Sequence, residues 1–398
     1  MPLLSISRAV AITGVAIAAV LGSIAPAHAT TDSLTGKKYV ALGDSYASGY
    51  GLPPYNATPS LGCGQSVDDV PHRIAQTYGL ALTDVTCAGA GIPNVLSTPQ
   101  TVAGGATVPA QLNAVTPDTA VVSIMIGGND LGFTTVLPGC AANSPQGPLL
   151  QFPVANCQMK YGSTLTSLLQ TTISPAYDAL LAAIRQKAPQ AKIILLGYPA
   201  LAPTDANTPV GGCFASALGA PLPQNAFPFT DVDRAYIAGL SAALDETERD
   251  AAARNGVTFV SNLAATDAHT PCAGNPDSYL NGVSLTSVAP PAIAEGALHP
   301  NAAGVDFLEA QLATALDAAF PATPPATGDG DGATAAPSPV EPDTQAAAPA
   351  SAGSANELAA TGSDQLPLAA GAVLVLALGA GLITVAQRRK QRRTTSTN

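Results

Sequence analysis

Lys38-Tyr39-Val40-Ala41-Leu42-Gly43-Asp44-Ser45-Tyr46 is the stretch on which the reading of the fold turns. The apolar run Tyr39–Leu42 predicts a buried strand, and it passes without a spacer into Gly43-Asp44-Ser45. Gly43 eases the turn, so Ser45 stands at the carboxyl end of a strand with its hydroxyl able to face a crevice. Similar runs follow at Leu80–Val85, Ala120–Ile126, Lys192–Leu196 and Val257–Val260. Periodic stretches at Val70–Tyr78, Ser163–Lys187 and Val232–Asn255, with a last one at Ala302–Ala319, predict helices, and Pro175 is expected to split the second into two. Strands alternating with helices predict an α/β fold, a three-layer α/β/α sandwich on a five-stranded parallel sheet. Ligands of such sheets bind beyond the carboxyl ends of the strands, near a reversal in strand order.

The other strand ends carry candidate chemistry. The second leads into Thr86-Cys87-Ala88-Gly89-Ala90-Gly91. A glycine there lets backbone approach a ligand and present its N–H, although a simple turn explains it equally well. The third opens into Gly127-Gly128-Asn129-Asp130, where Asn129 can aim an amide at the same crevice. Negative charge developing on an acyl carbonyl needs such donors; an ordinary Asn-containing turn is the plain alternative. Leu298-His299-Pro300-Asn301-Ala302-Ala303-Gly304 precedes the last helix. A serine nucleophile needs an adjacent base. His72, at a helix start, and His269, beside Cys272, read as structural, which leaves His299 as that base. There is no GxSxG, so the strained elbow of α/β-hydrolases is not indicated.

These blocks, in this order at successive strand ends, resemble the GDSL/SGNH hydrolase family from Gly43 to Gly304. The resemblance implies the flavodoxin-like SGNH fold and hydrolysis of carboxylic esters through a Ser–His acyl-enzyme mechanism. Ser45 would be the nucleophile and lend its backbone N–H to an oxyanion hole. Gly89 (with Gly91 as runner-up) and Asn129 would complete the hole, and His299 would be the base. No metal or organic cofactor is implied, and the substrate would be an ester of a lipid or an acylated carbohydrate. One position departs from the pattern. Many members carry Asp three residues before the histidine, and here that residue is Gly296, preceded by Glu295. Some secreted actinobacterial members work as a Ser–His dyad with a backbone carbonyl in place of the acid, a part that Gly296 would take here. Two rival readings stay open: a carbohydrate (acetyl) esterase acting on polysaccharide, and a catalytically weak surface adhesin that keeps the fold.

The two ends read differently from the middle. In 398 residues, 47% hydrophobic and only 11% charged, apolar segments are expected outside the core. Arg8, the apolar run Ala9–Ile24 and Ala27-His28-Ala29 read as a signal peptide over residues 1–29. The hydrolase domain would span 37–320, followed by a disordered Pro/Ala/Thr-rich linker at 321–357. Leu358-Ala359-Ala360-Thr361-Gly362 then precedes an apolar segment at 366–386, long enough to cross a hydrocarbon core of about 30 Å. A tail at 387–398, with Arg388, Arg389, Lys390, Arg392 and Arg393, would stay cytoplasmic. This order resembles a sortase sorting signal in the LAxTG form used by class E sortases of high-GC Gram-positive bacteria. It implies sortase and cell-wall peptidoglycan as partners and a cell-surface location; a single-pass membrane anchor is the alternative.

Six cysteines, all in the domain of an exported chain, predict disulfides, and 15 pairings are formally possible. Similarity to secreted actinobacterial esterases and lipases implies sequential pairing: Cys63–Cys87, Cys140–Cys157 and Cys213–Cys272. With no CxxC and with histidines far apart in sequence, a metal centre is not indicated. A net charge of −11, no Trp and no basic residue between Arg254 and Arg388 exclude a nucleic-acid partner, because phosphate contacts need Lys and Arg.

Overall fold

β1 (Lys38–Gly43) is buried along its last five residues, as a strand covered on both faces must be. The computed structural model describes residues 34–321, apart from 275 and 289–290. β1 pairs in parallel with β2 (Ala81–Asp84) on one side and with β5 (Val121–Met125) on the other. β6 (Lys192–Leu196) and β7 (Thr258–Val260) extend the parallel sheet, giving the order β2-β1-β5-β6-β7. Two ribbons stand apart from it: β3 (Gln100–Thr101) with β4 (Thr107–Val108), and β8 (Leu285–Val288) with β9 (Pro291–Ile293). Chain order reverses between β1 and β5, and the site is expected above that switch point.

α1 (Val70–Tyr78) packs with α8 (Ala302–Ala319), while α2 (Ile92–Leu96), α6 (Ser174–Lys187) and α7 (Asp231–Arg254) form a second group, so the sheet is the middle of three layers. Side chains fix the helix starts. Asp69 accepts the His72 N–H at the head of α1, Thr230 the Asp233 N–H at α7, and Asn301 the Gly304 N–H at α8. α3 (Phe133–Gly139), α4 (Cys157–Tyr161) and α5 (Thr164–Leu168) are short and lie between β5 and α6. The five expected strands and four expected helical stretches are present, with ends moved by two residues at most.

Pro175 does not split its helix. α5 runs through a π-turn at Leu169–Ile173 directly into α6, with Pro175 in the first turn of the new segment. The Ser174 N–H reaches back to the Leu169 carbonyl. A register change of this kind absorbs the missing proline donor without a break.

The cysteines pair sequentially, as expected: Cys63–Cys87, Cys140–Cys157 and Cys213–Cys272. The first joins the loops that follow β1 and β2, and the second joins the end of α3 to the start of α4. The third closes the longest separation, 59 residues, across the loops after β6 and β7. All three therefore restrain loops at the carboxyl ends of strands, where each crosslink contributes on the order of 3 kcal/mol by limiting the unfolded chain. The expected signal peptide (1–29), the linker beyond 321, the sorting motif (358–362), the apolar segment (366–386) and the basic tail (387–398) lie outside the described residues. Among the described residues no helix is long and apolar enough to cross a membrane.

Candidate active site

Ser45 is held at the tip of β1 by a hydrogen-bonded turn. The Asp44 N–H donates to the Met125 carbonyl at 3.0 Å, and the Ser48 N–H returns to the Asp44 carbonyl at 3.0 Å. The Gln111 amide clamps both backbone groups of Gly43, each at 2.8 Å. The Asp44 carboxylate turns inward. Oδ1 accepts the Tyr46 N–H at 2.9 Å and Oδ2 the Tyr198 hydroxyl at 2.5 Å, and Tyr198 in turn accepts the Gly128 N–H at 3.0 Å. Burial pushes the Asp44 carboxyl up to about 7, against the pull of the Tyr198 and Tyr46 hydrogen bonds. This relay ties the β1 turn to the β5 turn.

His299 comes from the far end of the domain and reaches Ser45: Nε2 to Oγ is 2.7 Å. Its Nδ1 lies 2.9 Å from the Ala297 carbonyl oxygen. A carbonyl only accepts, so Nδ1 carries the proton, and Nε2 offers a lone pair to the serine hydroxyl. Burial pushes the imidazole below its ordinary value of 6.5, opposed by the Ala297 carbonyl, which favours the neutral ring. Tyr46 and Tyr50 wall it in, with ring centroids 4.8 and 5.3 Å away.

Contrary to expectation, the Gly296 carbonyl does not face the histidine ring. The carbonyl that faces His299 Nδ1 belongs to Ala297. The Gly296 carbonyl is already taken by the backbone N–H of His299 at 3.0 Å and by the Asn281 amide at 3.1 Å. Gly296 has its own reason to be glycine: φ is +75°, and a Cβ there would stand 2.8 Å from the Gly51 Cα. The loops that carry Ser45 and His299 thus meet backbone to backbone, in a space that an aspartate side chain cannot enter. Restoring the usual residue with Gly296→Asp is therefore expected to lower kcat/KM for a p-nitrophenyl ester by about a hundredfold, the usual consequence of moving a catalytic pair by an ångström. Equal or higher activity would count against this packing.

Leu298, just before the histidine, sits at φ +63°, a left-handed conformation that costs a non-glycine residue about 1–3 kcal/mol. The Tyr46 hydroxyl holds its carbonyl at 2.5 Å and the Asn281 carbonyl accepts its N–H at 3.0 Å. That strained backbone step precedes the residue whose ring must turn toward Ser45.

Of the expected donors, Asn129 shares a cavity with this pair. One of its amide protons goes to the Ala90 carbonyl at 2.8 Å, which fixes the side chain and leaves the other available. Among the described residues the N–H groups of Ser45 and Gly89 have no protein acceptor, whereas the Gly91 N–H is taken by Asn94 at 3.0 Å. Gly89, at φ +80°, is not itself a lining residue, and the Asn129–Ala90 bond ties its loop to the β5 turn. Asp130 accepts the Ile92 N–H at the head of α2, which steadies the same loop. His72 and His269 find their partners elsewhere. His72 bonds Asp69 at 2.7 Å; His269 bonds the Asp277 carbonyl and stacks on Tyr279, centroids 4.0 Å apart.

A cavity of about 630 Å³ opens from the Ser45–His299 pair, with apolar walls including Phe133, Leu137, Leu150, Phe229 and Val283. At its rim Leu218, Val288 and Ile293 are unusually exposed for their size. Tyr198 was not among the residues expected from the sequence, although Gly197-Tyr198-Pro199 directly follows β6, at a strand end like the others. The arrangement can accept a proton from a hydroxyl, bind an oxyanion and bury an apolar chain.

A family model described as the GDSL-like lipase/acylhydrolase family matches residues 41–307. Lipase 2 of Streptomyces coelicolor is 32% identical over 275 residues, which cover 68% of this chain and 85% of that protein. Among solved structures, phospholipase A1 from Streptomyces albidoflavus superposes with a TM-score of 0.53 at 27% identity, covering 71% of this chain and 99% of that one. The extracellular lipase of Streptomyces rimosus gives the same TM-score and identity, with 71% and 100% covered.

Proposed function

The chain belongs to the GDSL-like lipase/acylhydrolase family and is a carboxylic ester hydrolase, and on that premise we propose that it is an exported lipase working through a Ser45–His299 dyad. His299 removes the Ser45 proton as Oγ attacks the ester carbonyl. The N–H groups of Ser45 and Gly89 and the free amide proton of Asn129 hold the oxyanion, each donor contributing about 3 kcal/mol to the transition state. His299 then protonates the leaving alcohol, and water repeats the sequence to free the acid. The observation that carries the reading is the 2.7 Å contact between a neutral, buried imidazole and a serine hydroxyl 254 residues away.

Lipid esters are favoured over acetylated sugars by the apolar walls and exposed apolar rim of the cavity, which suit an acyl chain rather than a hydroxyl-rich ring. Export is supported by the leader pattern, by the disulfides and by the similarity to the extracellular lipase of S. rimosus. Attachment to peptidoglycan by a class E sortase rests on the Leu358–Gly362 motif and the segments after it.

A series of p-nitrophenyl esters tests the substrate. Each methylene moved from water into the cavity should raise kcat/KM about fourfold, from acetate up to the length that fills it. A flat series, with acetylated xylan the better substrate, would reject the lipase and favour the carbohydrate esterase.

A further inference from the structure

We propose that Asp69, His72 and Asp84 form a structural site for one divalent transition ion of the zinc class, apart from the ester-hydrolysing centre. Asp69 caps α1, His72 lies one turn into it, and Asp84 arrives from the carboxyl end of β2. One donor atom from each residue falls within 4.8 Å of the others. His72 Nδ1 to Asp84 Oδ2 is 3.7 Å, near the roughly 3.3 Å between donors of a tetrahedral zinc with 2.0–2.1 Å bonds.

The carboxylates are not simply solvated. Their side chains are 0% and 5% exposed, and Oδ2 of each is buried with no partner outside the cluster, the two carboxyls lying against each other. Buried acceptors of this kind are costly unless something fills them. Neither carboxylate is paired with a Lys or Arg among the described residues. Arg73, the nearest in sequence, turns instead to Asp68, Asp306 and Glu309. Two carboxylates and one imidazole suit zinc better than calcium, which takes oxygen donors only, and half-buried His72 leaves an opening for a water ligand.

His72 now donates Nδ1–H to Asp69 Oδ1, while Nε2 faces the Asn56 amide at 3.2 Å. Binding through Nδ1 shifts the proton to Nε2. The Asn56 amide, turned over, then accepts it with Oδ1, the usual outer support of a ligating histidine. The ion would link α1, the end of β2 and the loop carrying Asn56. It would also brace the turn after Ser45 from outside: Asp69 packs so closely on Gly49 that a Cβ there would stand 2.9 Å from its own.

The test is calorimetric titration of the purified full chain, stripped with dipicolinate, using zinc chloride, with thermal melting in parallel. One zinc per chain and a melting temperature raised by several degrees are expected, with calcium giving neither. His72→Gln and Asp84→Asn should each weaken zinc binding at least about tenfold while keeping ester hydrolysis, and His269→Gln should bind as the parent does. Absence of stoichiometric binding by the parent chain would overturn the proposal, as would undiminished binding in either variant of the trio.

Discussion

Ser45→Ala is expected to lower hydrolysis of p-nitrophenyl butyrate by about a millionfold in kcat, with the disulfides and fold intact. The hydroxyl of Ser45 makes a single hydrogen bond among the described residues, to His299 Nε2. Alanine keeps the Cβ and the backbone turn, so Asp44, Gln111 and Tyr198 still hold the loop. What remains is an oxyanion hole facing no nucleophile. Removing the hydroxyl orphans a buried imidazole nitrogen, a cost of about 1–3 kcal/mol, so melting should fall by only a few degrees. Turnover within tenfold of the parent chain would exclude Ser45 as nucleophile.

His299→Gln should cost nearly as much, about 10⁴–10⁶ in kcat, because the two residues act as a unit. The parent enzyme should also display the histidine in its pH profile. Only neutral His299 can accept the serine proton, and burial lowers the pKa of the ring. Lowering the pH therefore removes activity, and the acid limb of kcat/KM should have its midpoint below the ordinary imidazole value of 6.5. In His299→Gln that limb should vanish along with most of the rate. A parent midpoint above 6.5, or an unchanged limb in the variant, would assign the titration to another group.

How much of this was legible beforehand follows from where the constraints lie. Ser45 and Asn129 could be read because β1 and β5 are short apolar runs with chemistry at their ends, and the sheet order brings those ends together. His299 emerged because the other histidines had plain structural places. The partner of Nδ1 was not legible to the residue, because it depends on Gly296 at φ +75° and Leu298 at φ +63°, and nothing in the composition of that loop announces a left-handed leucine. The π-turn before Pro175 was hidden for a similar reason, since helix periodicity does not register one inserted residue. The cavity walls come from segments remote in sequence, around Phe133, Leu150, Phe229 and Val283, which only the tertiary fold assembles. Asp84 joins Asp69 and His72 in the same non-local way, through β2.

The polar support of the site also explains residues that perform no chemistry. Tyr198 satisfies the Gly128 N–H and Asp44 together, so it sets the distance between the serine turn and the turn that presents Asn129. Asp130 does the same for the Gly89 loop through Ile92. In the proposed mechanism these bonds would keep the three donors in place before substrate arrives, which is the condition under which an oxyanion hole contributes most.

Reaction with a fluorophosphonate, followed by peptide mass mapping, addresses the Ser45–His299 pair most directly, because an activated serine displaces fluoride from the probe and becomes phosphonylated. One adduct per chain, on the peptide containing Ser45, with labelling slowed by orders of magnitude in His299→Gln, is the predicted result. Labelling at another serine, or at Ser45 with equal speed in the variant, would contradict the account.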